Sequence, residues 1–239
     1  MRNLFYCLFA GISLSSVSAE TSHWPQAAGP KANWRADGEA PVEWSVVRDE
    51  NVLWRTPMEE CGQRAVTVWG SRAFVTIHQP IETFEERLSG GDIIGYCLDA
   101  NDGSVLWTVN LPGTQTMEIA CGFSDATVFA PVTDGKHVWF FNRCGSMGCY
   151  DFEGKEIWFR RYKMRFRHSA RMCEPIHFNG QILNVEVLDK EAGSRITKFK
   201  PGTSQKVKPV IPNGVDEKTV WTYLHGIDKR TGKVLWREN

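Results

Sequence analysis

Short apolar runs separated by turn residues recur along most of this 239-residue chain. Val128 to Val132 and His137 to Phe141 flank an Asp-Gly pair, while Pro175 to Phe178 lies directly before an Asn-Gly pair. Such pairs between apolar runs are strong hairpin signals, because glycine reaches the positive φ of a tight turn. No long segment shows the period of an amphipathic helix. The pattern therefore predicts an all-β chain of short antiparallel strands.

One short segment occurs in several copies. Leu98 to Trp107 matches Ile227 to Trp236, Tyr150 to Trp158 is a copy shorter by one residue, and Asn51 to Trp54 is a partial copy. In each full copy a strand ends at Asp, whose side chain can accept hydrogen bonds from the turn, and Gly supplies the positive φ. A second strand then carries a Trp, which neighbouring units need in order to bury their faces. The residues predicted to build these contacts between repeats are Trp54, Trp107, Trp158, Trp236, Asp99, Gly103, Asp151, Gly154, Asp228 and Gly232.

Further pairs of apolar runs alternate with the copies, so a unit holds four strands in about fifty residues, the size of one propeller blade. The sequence accounts for about three blades plus a leading closing strand, which predicts an incomplete β-propeller of four-stranded antiparallel blades. Either the chain is a fragment, or an oligomer or second chain supplies the missing blades. The predicted organisation is a signal peptide at 1–19, an extended lead-in at 20–43 and the partial propeller at 44–239.

The first nineteen residues have the features of a cleavable export signal. Arg2 precedes an apolar run from Leu4 to Ile12, and small residues at 17–19 lie before Glu20. The run is shorter than the ~20 residues that a membrane-spanning helix needs, and no later segment is long and apolar enough. We therefore expect a periplasmic or otherwise exported protein with no transmembrane segment after cleavage.

Charge narrows the range of partners. The chain has 28 Lys and Arg against 28 Asp and Glu, so nothing in its net charge favours nucleic acid. One local run is strongly basic and interleaved with aromatic residues, and could hold a protein or an anionic polymer. The alternative is a solvated strand and a connection between blades. The basic residues of this run are Arg160, Arg161, Lys163, Arg165, Arg167 and Arg171.

Cysteine and carboxylate patterns add one structural expectation and no metal site. Export permits disulfides, and Cys144 and Cys149 are close enough for a local bridge if their Cβ atoms face each other. No Cys-x-x-Cys pair is present, which disfavours zinc. The turn at residues 99–103 lacks the later Gly and Glu of a calcium loop, so a plain hairpin turn explains it better.

The repeat then indicates a family. The unit Asp-x-x-x-Gly-x-Val-Leu-Trp at residues 99–107 and 228–236 resembles the repeat of pyrroloquinoline-quinone-like β-propellers. His23-Trp24-Pro25-Gln26 is similar to the mature start of many exported members. In that family the repeated Trp docks one blade on the next. The family includes quinone-dependent alcohol and glucose dehydrogenases and a non-enzymatic lipoprotein of the outer-membrane β-barrel assembly machinery.

The resemblance implies two kinds of function. The alcohol dehydrogenases of the family carry two adjacent cysteines beside the quinone, with Glu and Asn on calcium and an Asp as base. This chain has no adjacent cysteines, and no motif assigns the other roles. We therefore expect a binding or scaffold module with no catalytic, cofactor-binding or metal-binding residues. The alternative is a dehydrogenase using pyrroloquinoline quinone and calcium, or a truncated remnant of one.

Overall fold

The computed structural model describes residues 23–36, 41–58, 65–79, 91–113, 127, 129–162, 174–187, 198–199, 206–207 and 222–238. These residues form three four-stranded antiparallel sheets and one small hairpin. This part of the chain holds no helix long and apolar enough to cross a membrane. The predicted incomplete β-propeller of four-stranded antiparallel blades is confirmed, and we number the three sheets as blades 1 to 3.

Each blade has its strands in simple neighbour order. Blade 1 contains β1 (Thr67–Trp69), β2 (Arg72–His78), β3 (Ile93–Asp99) and β4 (Val105–Leu111). Blade 2 contains β5 (Val132–Thr133), β6 (His137–Asn142), β7 (Ser146–Asp151) and β8 (Glu156–Arg161). Blade 3 contains β9 (Ile176–Phe178), β10 (Gln181–Val187), β13 (Thr222–Asp228) and β14 (Val234–Glu238). The hairpin of β11 (Lys198–Phe199) and β12 (Lys206–Val207) lies between β10 and β13 in sequence.

The Asp-to-Gly segments form the hairpin turns between the last two strands of each blade. The Asp99 carboxylate accepts a hydrogen bond from the Asn101 N–H at 2.8 Å, and Asp228 accepts one from the Arg230 N–H at 2.8 Å. The backbone N–H of Gly103 donates to the Asp99 carbonyl at 2.8 Å, and its φ is 76°. These bonds close the turn within a few residues, so the two strands leave it already in register.

Two clusters of buried side chains hold the blades together, one on each face of blade 2. The cluster between blades 1 and 2 contains Phe74, Ile93, Cys97, Leu111, Val138, Phe140, Cys144 and Tyr150. The cluster between blades 2 and 3 contains Phe129, Val132, Trp139, Phe141, Met147, Cys149, Trp158, Tyr162, Ile182 and Ile227. Burying a side chain of the size of Phe or Leu contributes roughly 1.5–3 kcal/mol, so the stacking of blades supplies much of the folding free energy.

The disulfide that we expected between Cys144 and Cys149 is not formed. Cys144 packs in the cluster between blades 1 and 2, whereas Cys149 packs in the cluster between blades 2 and 3. Cys144 lies in the turn between β6 and β7, whereas Cys149 lies on β7 itself. Because they pack in these two different clusters, the two side chains lie on opposite sides of blade 2. Cys61, Cys121 and Cys173 lie outside the described residues.

Candidate functional site

The repeated tryptophans lie where one blade meets the next turn. For three of the four, the indole Nε1–H donates to the backbone carbonyl of the residue that follows the turn Asp of the next blade. The pairs are Trp54 with Ala100 at 2.8 Å, Trp107 with Phe152 at 2.8 Å and Trp158 with Lys229 at 2.9 Å. A buried indole needs a partner for its single donor, and the repeat places one at the same point each time.

Glycine makes room for each indole. A Cβ added at Gly154 would lie 2.8 Å from the Trp107 ring, and one at Gly232 would lie 2.7 Å from the Trp158 ring. Trp54 approaches Gly103 more closely still. The turn thus needs glycine both for its positive φ and for the flat contact with the ring.

A second contact between an aromatic ring and a glycine turn occurs at the end of the first strand of a blade. Trp69, at the end of β1, packs directly over Gly135 in the first turn of blade 2. Phe178 ends β9 at the equivalent place, since both residues pair across a two-residue turn with the first residue of the next strand. Sequence reasoning missed this pair, although both aromatics stand directly before a turn.

Blade 3 leaves its outer-facing aromatics uncovered. Trp236 is 36 % exposed, and its indole donates to Gln181 of its own blade at 2.7 Å. Phe178 is 64 % exposed. Ile176 and Leu224 lie on the same side of the sheet by strand register and are also exposed. We call this surface, made of Ile176, Phe178, Leu224 and Trp236, the open aromatic face.

A buried ion pair joins blades 2 and 3. Arg160 on β8 donates from both terminal nitrogens to the Glu186 carboxylate on β10, with the Nη2–Oε2 distance at 2.6 Å. Asn184 adds a hydrogen bond to Glu186 Oε1 at 3.1 Å. The Glu186 side chain is 4 % exposed and that of Arg160 is 19 % exposed. Because its oxygens are held in this way, Glu186 is poorly placed to act as a base or metal ligand.

Tyr162 is buried next to this ion pair. Its hydroxyl donates to the Asn142 carbonyl at 3.0 Å. Burial raises the pKa of Tyr162 above its ordinary value, and the negative charge of Glu186 adds to the rise. The phenol is therefore neutral at physiological pH and acts as a hydrogen-bond donor in the core.

A second ion pair lies at the turns of blades 2 and 3. Lys229 Nζ is 2.6 Å from Asp134 Oδ2, and the Asp134 side chain is 6 % exposed. Burial raises the pKa of Asp134, but the bonds from Lys229 and from two backbone N–H groups outweigh it and hold the pKa below its ordinary value. Nearby, His177 stacks on Trp139 with ring centroids 5.9 Å apart, and its pKa is lowered by burial and then by the charge of Lys229.

The basic run is divided by the fold. Arg160 turns inward to Glu186, while Arg161 ends β8 with an exposed side chain. Lys163, Arg165, Arg167 and Arg171 lie outside the described residues. The inward partner of Arg160 was missed from sequence, because no local signal links it to a glutamate on the next blade.

The described residues do not fit a quinone and calcium site. No group of three or more His, Cys, Asp or Glu side chains among them is placed to hold a metal ion. Glu186 and Asp134 are buried carboxylates, and each is already paired with a cation. Burial raises the pKa of the Cys97 thiol to about 12, so that thiol is protonated and unreactive at neutral pH.

A family model described as outer membrane protein assembly factor BamB matches residues 89–239. No curated protein matches the sequence. Among solved structures, BamB from Moraxella catarrhalis is 14 % identical, with a TM-score of 0.45, over 80 % of this chain and 44 % of that chain.

Two other similar solved structures are dehydrogenases. The quinohemoprotein alcohol dehydrogenase from Comamonas testosteroni is 15 % identical, with a TM-score of 0.46, over 93 % of this chain and 28 % of that chain. A europium-containing methanol dehydrogenase is 13 % identical, with a TM-score of 0.42, over 72 % of this chain and 23 % of that chain. This chain spans less than half the length of each of the three structures.

Proposed function

Since the chain belongs to the family described as outer membrane protein assembly factor BamB, we propose that it is an exported scaffold that binds a protein partner without catalysing a reaction. The family match supports the pyrroloquinoline-quinone-like repeat inferred from the motifs. Fold alone does not decide between scaffold and enzyme, so the proposal depends on the site.

One observation carries the proposal. The buried ionisable groups that we have described are used in contacts between blades, whereas an aromatic sheet face is left in solvent. Arg160 neutralises Glu186, and Lys229 neutralises Asp134. The open aromatic face has the composition of a protein-binding surface, since large aromatic side chains dominate the energetics of such interfaces. These features therefore favour binding of a protein partner over catalysis.

Partner capture tests the proposal directly. A tagged chain with its own N-terminal segment would be produced in a Gram-negative bacterium, and bound proteins would be identified by mass spectrometry. We expect specific partners with the unchanged chain and with the control Val42→Ser, which alters a residue that is 97 % exposed outside the open aromatic face. The same partners should be lost with Phe178→Ser/Trp236→Ser. Identical capture by all three proteins would contradict binding through this face.

The competing function is a quinone-dependent dehydrogenase, and the family resemblance is what favours it. The purified chain would be incubated with pyrroloquinoline quinone and calcium, and dye-linked oxidation of primary alcohols would be recorded. We expect no rate above that of the free quinone. A rate that saturates with alcohol and disappears when calcium is chelated would contradict the scaffold proposal and show that the chain is a dehydrogenase.

Export rests on residues 1–19, which lie outside the described residues. A fusion of the chain to a phosphatase that is active only after export should be active, and a fusion lacking residues 1–19 should not. Equal activity of the two fusions would remove the export part of the proposal.

A further inference from the structure

The first strand of each blade has one edge that its own sheet does not use. The strands β1, β5 and β9 each lie at the end of their four-stranded sheet. These strands also lie beside one another: the Thr67 hydroxyl of β1 donates to the carbonyl of Pro131, next to β5, at 2.6 Å, and β5 contacts β9. We call the edges that these three strands turn away from their own sheets the inner edges.

One residue in each blade directs its backbone N–H out of the inner edge. Val68, Thr133 and His177 each stand two positions before the two-residue turn that leads to the second strand of their blade. Backbone groups of successive residues in an antiparallel strand alternate between its two edges, so equivalent positions present the same edge. The three N–H groups therefore form a row across the three blades, which we call the amide row.

Three consecutive residues near the start of the described chain accept the whole amide row. The acceptors are two backbone carbonyls and one side-chain carbonyl, in chain order. The pairs are Trp24 with Val68 at 2.9 Å, Pro25 with Thr133 at 2.8 Å and Gln26 with His177 at 3.2 Å. The Trp24 N–H also donates back to the Val68 carbonyl at 2.8 Å, which makes an antiparallel bridge. One residue of this segment thus serves each blade.

The residue types of the segment fit these places. Pro25 has no N–H, so it offers its carbonyl to the row without leaving a donor unpaired. The Gln26 side chain extends the reach of the segment to the third blade. On the other side, His23 stacks on Trp69 with ring centroids 4.0 Å apart, and its Nδ1 accepts the Gly70 N–H at 3.2 Å. The contact therefore combines backbone pairing with side-chain recognition.

The segment also folds on itself. The Trp24 indole donates to the Ala27 carbonyl at 3.2 Å, and its ring lies over Gly29, where an added Cβ would be 2.9 Å away. The Gly29 N–H donates to the Gln26 carbonyl at 2.8 Å, which closes a turn. Contacts within a peptide reduce the entropy that it loses on binding, so residues 23–29 have the character of a preorganised ligand.

We infer that the inner edges form a binding site for a peptide with the sequence Trp-Pro-Gln, and that the chain fills this site with its own residues 23–29. The docked segment joins the three blades and keeps their inner edges from pairing with a foreign strand. Because its three contact residues are consecutive, its release frees the whole amide row at once. The inference goes beyond the proposed function, since it uses the inner edges rather than the open aromatic face.

Hydrogen exchange of individual backbone amides, followed by NMR on the folded chain, tests the inference. The amide row should be protected in the unchanged chain. In Trp24→Ala/Gln26→Ala it should exchange faster by about tenfold or more in all three blades, while amides bonded within β2 and β6 keep their protection. Trp34→Ala is the matched control, because Trp34 belongs to the same segment but is 66 % exposed. It should exchange as the unchanged chain does.

A synthetic copy of residues 23–30, acetylated and amidated, tests the site with a separate ligand. Added to the double variant, it should restore protection of the amide row in a saturable way, and a copy carrying Trp24→Ala should not. Circular dichroism checks folding, and Gln26→Ala alone is a milder variant that should speed exchange of the His177 amide only. The inference is overturned if the amide row exchanges freely in the unchanged chain, if the double variant leaves it protected, or if the synthetic copy at saturating concentration restores no protection.

Discussion

The contact between blades 1 and 2 and the contact between blades 2 and 3 have one feature in common and differ in the residues around it. Both place a Trp indole on a glycine turn and bond its N–H to a backbone carbonyl. Between blades 1 and 2 the buried cluster is apolar, and the rings of Phe74 and Phe140 meet edge to face within it. Between blades 2 and 3 two ion pairs, Arg160 with Glu186 and Lys229 with Asp134, lie beside the apolar cluster. The repeat therefore sets the geometry of docking, and the residues outside it set how each contact responds to charge and pH.

The largest loss of stability should follow from removing the Glu186 carboxylate, which is buried between blades 2 and 3. Glu186→Ala leaves the Arg160 guanidinium mostly buried without its partner, so the free energy of unfolding should fall by about 3 kcal/mol. Urea denaturation at pH 7 measures this loss. Glu50→Ala is the control, because Glu50 pairs with Arg48 on the surface and should change stability by less than about 1 kcal/mol. Equal losses in the two variants would show that the buried pair is no stronger than a surface pair.

The contact between an indole and a glycine turn can be tested with two turn glycines, only one of which has an indole packed on it. Gly154 and Gly180 both have positive φ, at 85° and 75°, but only Gly154 lies under an indole. Gly180→Ala should cost about 1 kcal/mol for backbone strain alone. Gly154→Ala should cost about 2 kcal/mol more, since Trp107 must move and its bond to Phe152 is weakened. Urea denaturation compares the two, and a difference near zero would mean that the indole contact contributes little.

Removing the charge of Lys229 from the ion pair with Asp134 should lower stability by less, and the loss should depend on pH. Lys229→Met keeps most of the stem but removes the charge beside Asp134, and should lower stability by roughly 1 kcal/mol at pH 7. The lowered pKa of Asp134 gives stability that is present above its unfolded value of 3.8 and lost as the pH falls through the folded value. This acid-side loss should be smaller in Lys229→Met. Lys233→Met, an exposed change in the same turn, should leave both quantities unchanged.

The smallest expected effect concerns His177. Because its folded pKa is lowered below 6.5, the unfolded chain binds a proton first, and stability should fall as the pH drops below 6.5. His177→Phe keeps a ring against Trp139 and should remove part of this loss. Thermal unfolding midpoints between pH 7.5 and 5 would record it, with the unchanged chain as reference. An identical slope in the two proteins would mean that His177 does not contribute.

Several features could be predicted from residues that are close in sequence. The turn from Asp99 to Gly103 and its copies needs no distant partner, because its hydrogen bonds close within a few residues. The positions of Trp107 and Trp158 on the outer strands follow from the same copies. The Cys144–Cys149 expectation was wrong because proximity in sequence does not determine which face of a sheet each side chain occupies.

Other features could not be predicted from local pattern. Arg160 read as part of a basic surface run, yet it turns inward to a glutamate 26 positions away. Phe178 and Trp69 carry no shared motif, and their equivalence appears only in the strand register. The blade-docking role of the repeat residues and the anionic-partner role of the basic run stay predictions.

Spacing of apolar residues and turn glycines was enough for the all-β class, the four-stranded blade and the incomplete ring, because hairpin geometry depends on neighbouring residues. Only the packed sheets decided which charges meet between blades 2 and 3, which aromatic residues of blade 3 are exposed, and on which side of blade 2 each cysteine lies. Those relations join residues from different blades, and such residues meet only when twist and register have placed one face against another.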